Sequence, residues 1–411
     1  MPPAPAQSSS SSALLLLPPA PSPPSYEALK AAYHPCLLTL LRQLARSPRR
    51  THGPVVLDIA LPCPHLYGRL ASPRGPLYAT THRLVAGLYK LLCIIAANDS
   101  IDTEDAAGVD ARVVLVAYPR DGRLTQLADD ARPEQEAQGP AIDLHTLARS
   151  PRAWETVYAV QTEPGDTLLR NFLSFSPPGV NVSTLRGGIQ ITSSSPAAAD
   201  EEVDAQNHLS VAVGGTFDHL HIGHKLLLTM FAFVLGRGSP SVNDEVRRTL
   251  TVGITGDALL KNKKYAEFLE SWQLRQHAVH DFLSSIIYFG GPNDGRIHWQ
   301  ELAGGDTADR AVHVTYPLDL AIKYVEIQDP FGPTITDESI SALAISKETR
   351  SGGTAVNDKR AEKGWQALEV FEVDVLDAGE EELVDETFQS KLSSTEIRRQ
   401  RSERVKAGPR A

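Results

Sequence analysis

The C-terminal half of this 411-residue chain alternates short apolar runs, rich in β-branched residues, with longer stretches of helical spacing. This order is typical of a parallel sheet with helices on its faces. Strands are predicted at residues 209–215, 249–255, 322–328, 342–346 and 368–376. Helices are predicted at residues 222–236, 271–287, 355–368 and 394–406. We therefore expect residues 208–411 to form an α/β domain with five parallel strands, an architecture that suits nucleotide binding.

A smaller α/β domain is predicted before it, over residues 26–176. The chain has helical spacing at 26–46 and 81–99, and apolar strands are predicted at 54–62 and 111–119. This region carries no phosphate-loop motif, so its role is not predicted. Three of its histidines are expected to be structural: His52, His65 and His82.

Three segments have the composition of irregular structure. Residues 1–25 consist mainly of Pro, Ser and Ala without periodicity, which predicts a disordered tail. Residues 177–207 are rich in Ser, Pro, Ala and acidic residues, and we interpret them as the linker between the domains. Residues 290–310 are polar and rich in Gly, which predicts an insertion loop in the C-terminal domain.

Charge, cysteine content and apolar run length argue against several classes of protein. A net charge of -10 argues against a nucleic-acid surface, since such surfaces are strongly basic. The three cysteines form no CxxC pair and are odd in number, so neither disulfides nor a zinc site is expected, and a reducing, cytoplasmic location fits. No apolar run reaches the roughly 20 residues of a membrane span. The run at 13–19 follows no basic segment, which argues against a secretory signal.

Candidate chemistry lies at residues 214–225, "GGTFDHLHIGHK". A strand that ends in two glycines and leads into a helix near His221 points backbone N–H groups at the sheet edge, where phosphates bind. The string contains neither the dinucleotide fingerprint nor the P-loop motif. His221 and His224 are three residues apart, so both rings can face one anion from the first helical turn. Two histidines alone make an incomplete zinc site.

This string resembles the HxGH motif of the nucleotidylyltransferase superfamily. The whole of residues 214–225 is similar to eukaryotic-type phosphopantetheine adenylyltransferases, including the adenylyltransferase domain of CoA synthase. "LSSTEIR" at 392–398 resembles the superfamily motif ISSTxxR. Segments 256–264, 328–334 and 345–360 also resemble this branch. The resemblance covers about residues 209–401 and implies a Rossmann-like sheet.

Two positions depart from the pattern. Phe331 stands where Tyr is common, and Arg350 lies one place earlier than the arginine of relatives that have ETYRGG. No role is assigned to Arg350 for that reason.

The resemblance implies transfer of AMP from ATP to 4′-phosphopantetheine, which gives dephospho-CoA and pyrophosphate. It implies that His221 and His224 contact the ATP phosphates and that a lysine, Lys261 or Lys264, bridges donor and acceptor. The ATP-binding positions that it implies are Gly214, Gly215, Phe217, Ser346, Glu348, Thr349, Ser393, Ser394, Thr395 and Arg398. The phosphopantetheine-binding positions that it implies are Thr216, Asp218, Asn357 and Arg360. Mg²⁺ is expected on the triphosphate rather than in a protein cage, and a complex with other CoA-biosynthesis enzymes is expected.

Three alternatives stay open at this point. The chain could use a different phosphorylated acceptor, or it could be a non-catalytic scaffold relative. The letters HIGH also mark class I aminoacyl-tRNA synthetases, and "KLSST" at 391–395 begins like their KMSKS loop. The second lysine of that loop is missing, and no basic surface for tRNA is expected. Both observations argue against the hypothesis of an aminoacyl-tRNA synthetase. No Walker A motif is found, so dephospho-CoA rather than CoA is the expected product.

Overall fold

The computed structural model is an α/β protein with two sheets of parallel strands of the Rossmann-like type. It describes residues 11–47, 53–103, 108–125, 138–189, 205–237, 248–291, 295–302, 310–317, 320–374 and 393–407. The first sheet has six parallel strands in the order β4-β3-β2-β1-β5-β6. These are β1 Ser12–Leu16, β2 Val55–Pro62, β3 Val109–Ala117, β4 Ala141–Asp143, β5 Thr156–Gln161 and β6 Val182–Arg186. Its helices are α1 Tyr26–Arg46, α2 Gly75–Asn98, α3 Leu144–Arg149 and α4 Glu163–Phe175.

The prediction of a disordered tail is wrong for residues 11–25. Strand β1 lies in the centre of the first sheet, where Leu14 pairs with Asp58 of β2 and with Val157 of β5. A strand buried on both faces appears in sequence as a continuous apolar run. The run of four leucines at 14–17 is such a pattern, and the surrounding Pro and Ser masked it. Residues 1–10 lie outside the described residues.

The predicted linker also contains folded structure. Strand β6 pairs in parallel with β5, so that Leu185 lies opposite Val160. Beyond it, the amide of Ile189 donates to the carbonyl of Ala31 in α1, at 3.1 Å. The first domain therefore extends at least to Ile189. Much of the rest of the predicted linker, residues 190–204, lies outside the described residues.

The second sheet has seven strands rather than the predicted five, in the order β13-β12-β7-β8-β11-β10-β9. They are β7 Ser210–Gly215, β8 Arg248–Thr255, β9 His298–Leu302, β10 Ala311–Thr315, β11 Leu320–Ile327, β12 Ala342–Ser346 and β13 Glu369–Val373. The five predicted strands form, and they pair in parallel. Strands β9 and β10 extend the sheet in antiparallel pairing. Because β9 is an edge strand with every residue exposed, it carries no apolar signal, and residues 290–310 were wrongly predicted to be only a loop.

Within the described residues, four helices accompany this sheet: α5 Ile222–Val234, α6 Trp272–Ile287, α7 Arg350–Glu362 and α8 Ser394–Ala407. Helix α7 begins and ends earlier than predicted. It starts directly after a 3₁₀ turn at Lys347–Thr349, and it stops before Gly364, whose φ of 73° is the left-handed conformation common just after helix ends.

The path of the chain creates a crevice at the carboxyl end of β7. From β7 the chain continues to β8 on one side, and it later returns to place β12 on the other side. Ligands of open α/β sheets bind where the strand order reverses in this way. Residues 214–225 follow β7, so this motif lies at the crevice.

The two domains are packed together through their helices. Buried residues of α2 and of α5 belong to one continuous apolar cluster. By length and composition alone, Gly75–Asn98 is apolar enough to cross a bilayer, although no apolar run of that length is expected from the sequence. In this structure 67% of its most apolar window is buried inside the protein, as in the core helix of a globular fold.

Candidate active site

The histidine pair lies at the start of α5. His221 is the N-cap residue of this helix, and its Nδ1 accepts a hydrogen bond from the backbone N–H of His224 at 3.4 Å. The two imidazole rings stack with their centroids 3.8 Å apart and an angle of 17° between their planes. The structure thus brings both rings together at the helix N-terminus, where the helix dipole favours negative charge.

Both rings are held neutral. Burial, followed by the charges of His224 and Lys225, lowers the pKa of His221 well below its usual range. Burial also lowers the pKa of His224, to about 4. A neutral imidazole offers one N–H donor and one acceptor nitrogen. Among the described residues, the buried Nδ1 of His224 has no hydrogen-bond partner, so this atom is available to a ligand.

The turn between β7 and α5 has a tight backbone. Phe217 and His219 adopt positive φ values of 53° and 48°. Gly214 is exposed, and a Cβ added there would meet no atom within 4 Å, so the space outside it is open. Phe217 is fully buried, and its ring packs edge-on against the ring of His224 at 5.5 Å. This placement makes the Phe217 side chain a support for His224, and it does not support the expected side-chain contact with ATP.

Asp218 and Arg398 join the two sequence motifs. The Asp218 carboxylate is fully buried and forms an ion pair with Nη1 of Arg398. Arg398 Nε donates to the carbonyl of Lys264 at 3.1 Å, and Ser394 Oγ donates to the carbonyl of Asp218 at 2.8 Å. Arg398 also donates to Thr395 Oγ1, at 3.1 Å. The motifs therefore meet at one place, as the resemblance implies. Because Asp218 and Arg398 neutralise each other, they hold the site together, and their charges are not free for substrates.

Asp218, His219 and Glu270 have metal-capable atoms within 4.8 Å of one another. Nε2 of His219 lies 2.9 Å from the carbonyl of Phe268, and Nδ1 lies 3.2 Å from Oε1 of Glu270. Burial by itself lowers the pKa of His219, but the hydrogen bond and charge of Glu270 and the charge of Asp218 raise it above its usual value. An imidazole with a carbonyl acceptor at one nitrogen and a carboxylate beside the other is favoured as a cation, which cannot bind a metal. We interpret the group as an ion-pair network.

Arg275 is a residue that sequence reasoning missed. It is fully buried on α6 and donates to the carbonyls of Thr216 at 2.7 Å and Thr255 at 2.9 Å. It also forms an ion pair with Asp257 at 2.7 Å. One guanidinium thereby fixes the turns that follow β7 and β8. Nothing in the local sequence distinguishes Arg275 from a surface arginine, because all of these partners are distant in the chain.

The lysine loop follows β8 at the same edge of the sheet. Lys261 and Lys264 are both exposed. The backbone of Lys264 is fixed by the hydrogen bond from Arg398. Both lysines therefore remain candidates for contact with substrate.

The carboxyl end of β12 supplies a further group of polar residues. Ser346 Oγ lies 3.2 Å from Thr349 Oγ1, and Ser346, Glu348 and Thr349 are half-buried or exposed. Because β12 pairs directly with β7, these residues lie beside the glycine turn. Arg350, at the start of α7, donates through Nε to Glu372 of β13 at 2.6 Å.

Asn357 and Arg360 do not have the arrangement expected of phosphopantetheine-binding residues. The Asn357 amide is used by the backbone of Leu368, through bonds of 3.1 and 2.8 Å. Arg360 is buried, and its guanidinium donates to carbonyls that include those of Thr334 at 2.8 Å and Gln366 at 2.8 Å. Their polar atoms stabilise the loops around α7, so the prediction for these two side chains is corrected.

Comparison with known proteins gives matches to different parts of the chain. A family described as a domain of unknown function (DUF8446) matches residues 1–191. An uncharacterized protein of Schizosaccharomyces pombe is 33% identical over 246 residues, which are 60% of this chain and 65% of that protein. A phosphopantetheine adenylyltransferase of Saccharomyces cerevisiae is 35% identical over 196 residues, 48% of this chain and 50% of that protein. The chain thus spans between half and two thirds of the length of these two relatives.

A shorter relative is covered almost completely. The phosphopantetheine adenylyltransferase of Thermococcus gammatolerans is 31% identical over 188 residues, which are 46% of this chain and 86% of that protein. These relatives imply a nucleotidyltransferase, and the stacked histidines at the sheet edge agree with one. The chain belongs to the phosphopantetheine adenylyltransferase family.

Proposed function

We propose that the C-terminal domain transfers the adenylyl group of ATP to 4′-phosphopantetheine and forms dephospho-CoA and pyrophosphate. The observation that carries this proposal is the stacked, neutral pair of His221 and His224 beside the open face of Gly214. In the reaction, a phosphate oxygen of phosphopantetheine bonds to the α-phosphorus of ATP. The bond from that phosphorus to the oxygen bridging to the β-phosphate breaks, and pyrophosphate leaves with the electron pair.

No protein nucleophile is needed for this step, because a phosphate monoester is already anionic at neutral pH. Catalysis then depends on placing the two phosphates in line and on stabilising the charge of the five-coordinate phosphorus. His221 accepts through Nδ1, so its proton is on Nε2, which can donate to a phosphate oxygen. A preorganised donor of this kind is worth about a hundredfold or more in rate.

The other groups at the crevice would hold the two substrates. The Thr216 hydroxyl and the glycine turn are next to the acceptor phosphate in this scheme, and Lys261 or Lys264 bridges acceptor and donor. The β- and γ-phosphates face the N-terminus of α8 in this scheme, since a helix N-terminus binds anions. The hydroxyls of Ser393 and Thr395 would donate to them, whereas the hydroxyl of Ser394 donates to the carbonyl of Asp218.

Mg²⁺ is expected to arrive with ATP. Three carboxylates of the loops around the crevice each have a cationic partner: Asp218 with Arg398, Glu270 with His219 and Asp257 with Arg275. These residues fit a metal held mainly by phosphate oxygens and water rather than by the protein. When bound, Mg²⁺ would neutralise part of the triphosphate charge.

We also propose a cytoplasmic location and association with other enzymes of CoA biosynthesis. The three cysteines are free and buried, as suits a reducing compartment. Co-purification with the tagged full-length chain tests the association, and failure to recover any such enzyme would contradict it.

The test of function is incubation of the full chain with ATP, Mg²⁺ and 4′-phosphopantetheine, followed by mass spectrometry. We expect dephospho-CoA and an equal amount of pyrophosphate. A parallel reaction with CTP in place of ATP tests which nucleoside triphosphate is the donor. His224→Ala should lose at least about a hundredfold in rate, whereas His277→Ala, an exposed histidine on α6, should retain wild-type activity.

Two results would overturn the proposal. Pyrophosphate release with another phosphorylated acceptor, but not with phosphopantetheine, would assign a different transferase activity. Binding of ATP without pyrophosphate release in the presence of any acceptor would favour a non-catalytic scaffold.

A further inference from the structure

Lys225, the residue directly after His224, connects the active-site helix to the first domain. Its side chain is 5% exposed, and Nζ lies 2.6 Å from Oδ1 of Asp110. Asp110 is on β3, the strand next to the edge of the first sheet. The contact therefore joins the two domains one residue from the predicted catalytic histidine.

Asp110 is itself held in place. Arg112 donates to its Oδ2 through Nε at 2.9 Å and Nη2 at 2.6 Å, so each carboxylate oxygen has a cation. Burial alone raises the pKa of Asp110, but the charges and hydrogen bonds of Arg112 and Lys225 outweigh burial and hold that pKa well below its usual range. Asp110 is therefore an ionised anchor with fixed geometry.

The contact between Asp110 and Lys225 restrains the rotation of helix α5 about its axis. Successive residues of an α-helix point about 100° apart around the axis, so Lys225 can face the first domain while His224 faces the crevice. Lys225 also lies in the first turn, where its backbone N–H donates to the carbonyl of His221 at 3.0 Å. Fixing Nζ of Lys225 restrains this turn about its axis, and the turn carries both imidazoles.

We propose that Asp110 of the first domain is a positioning residue for adenylyl transfer, which holds His221 and His224 in their reactive orientation through Lys225. This inference rests on the proposed function. It gives the first domain a part in catalysis although that domain lies outside the crevice. A misplacement of about 1 Å at a reacting group costs on the order of a hundredfold in rate.

The experiment measures kcat and KM for ATP in the full chain with Asp110→Asn and Lys225→Met, each alone and combined. We expect either change to lower kcat about 10- to 100-fold, with KM for ATP changed less than about threefold. The double variant should be no slower than the slower single variant, because both changes break one contact. Asp99→Asn, which breaks an ion pair of the first domain with Arg42, should leave kcat unchanged.

A second comparison separates positioning from general destabilisation. In a His224→Ala background, Asp110→Asn should reduce the remaining rate by a smaller factor than in the wild-type background, because one of the two groups that it positions is gone. Melting temperatures identify variants that have lost the fold. Lys225→Met keeps the Asp110–Arg112 pair and tests the proposal if Asp110→Asn unfolds.

If Asp110→Asn lowered the rate by the same factor in the wild-type and His224→Ala backgrounds, the proposed positioning role would be overturned. Full kcat in folded Asp110→Asn and Lys225→Met, while the wild type makes dephospho-CoA, would also overturn it. If the wild type makes no dephospho-CoA, the proposed function fails, and this inference fails with it.

Discussion

The buried pair of Asp218 and Arg398 gives the sharpest test of how the site is built. Replacing Arg398 by Met removes the closest cation and leaves the Asp218 carboxylate fully buried, with the backbone N–H of Glu270 at 3.0 Å and Nε2 of His219 at 3.8 Å as its remaining partners. Breaking one side of a buried ion pair costs about 3–5 kcal/mol. The lost hydrogen bond to the carbonyl of Lys264 adds about 1 kcal/mol. We expect Arg398→Met to lower the free energy of unfolding by about 4–6 kcal/mol.

The assay is urea unfolding followed by circular dichroism. Arg399→Met is the matched control, since the adjacent Arg399 has a side chain that is 42% exposed and pairs with Glu396 and Glu403 on the helix surface. Arg399→Met should cost much less than Arg398→Met, because exposed ion pairs are screened by water and contribute little to stability. Combining Arg398→Met with Asp218→Asn should cost clearly less than the sum of the single changes, because the uncompensated charge is removed. An Arg398→Met loss no larger than that of Arg399→Met would refute the claim that this pair joins the two motifs.

Three further outcomes follow from the structure. Leu15→Ala should lower the free energy of unfolding by about 2–5 kcal/mol in urea titrations, because its side chain is fully buried in β1; a loss below about 1 kcal/mol would contradict the position of β1. Gly214→Ala should abolish transfer without changing the melting temperature, because its Cβ would enter the open space that the phosphate is proposed to occupy. Gly215→Ala should lower the melting temperature, because its Cβ would lie 3.0 Å from the Phe217 ring. Full activity in Gly214→Ala would show that phosphate does not approach Gly214. The pKa of His224 is lowered to about 4, so its neutral form contributes stability above the unfolded pKa of about 6.5, and that contribution is lost as pH falls toward 4. Between these pH values the wild type should lose about 2–3 kcal/mol more than His224→Gln in urea titrations, and equal losses would show that the ring is not buried as a neutral group.

Elements with a strong local pattern could be predicted from the sequence. Helix α1 has the bounds expected from its apolar spacing, and Ser25 caps it by accepting a hydrogen bond from the amide of Ala28. Helix α5 begins at the predicted residue, and α6 begins one residue after the predicted start. In each case the signal is contained within a few turns of chain, so no distant partner is needed to recognise it.

The elements and contacts that were missed depend on distant partners. Strand β1 is recognisable only when β2 and β5 are known to cover it, because its flanks have the composition of a disordered tail. For the site, the sequence indicated which motifs meet, but it did not reveal that Asp218 and Arg398 satisfy one another. It also gave no sign of Arg275, or of the backbone carbonyls that occupy Arg360. Charged residues near a motif appear as ligand contacts until their buried partners are seen.

The composition of α5 explains why the first domain and the site belong together. Eleven of its 13 residues are buried, including apolar residues at every turn, and a helix that is apolar all round must be covered on all sides. Its own sheet covers one side, and α2 of the first domain packs into the same apolar cluster. Removing the first domain would therefore expose the side of this helix that α2 covers. The stability of the helix that carries the histidine pair thus depends on both domains, and the second domain expressed alone should be less stable than the full chain.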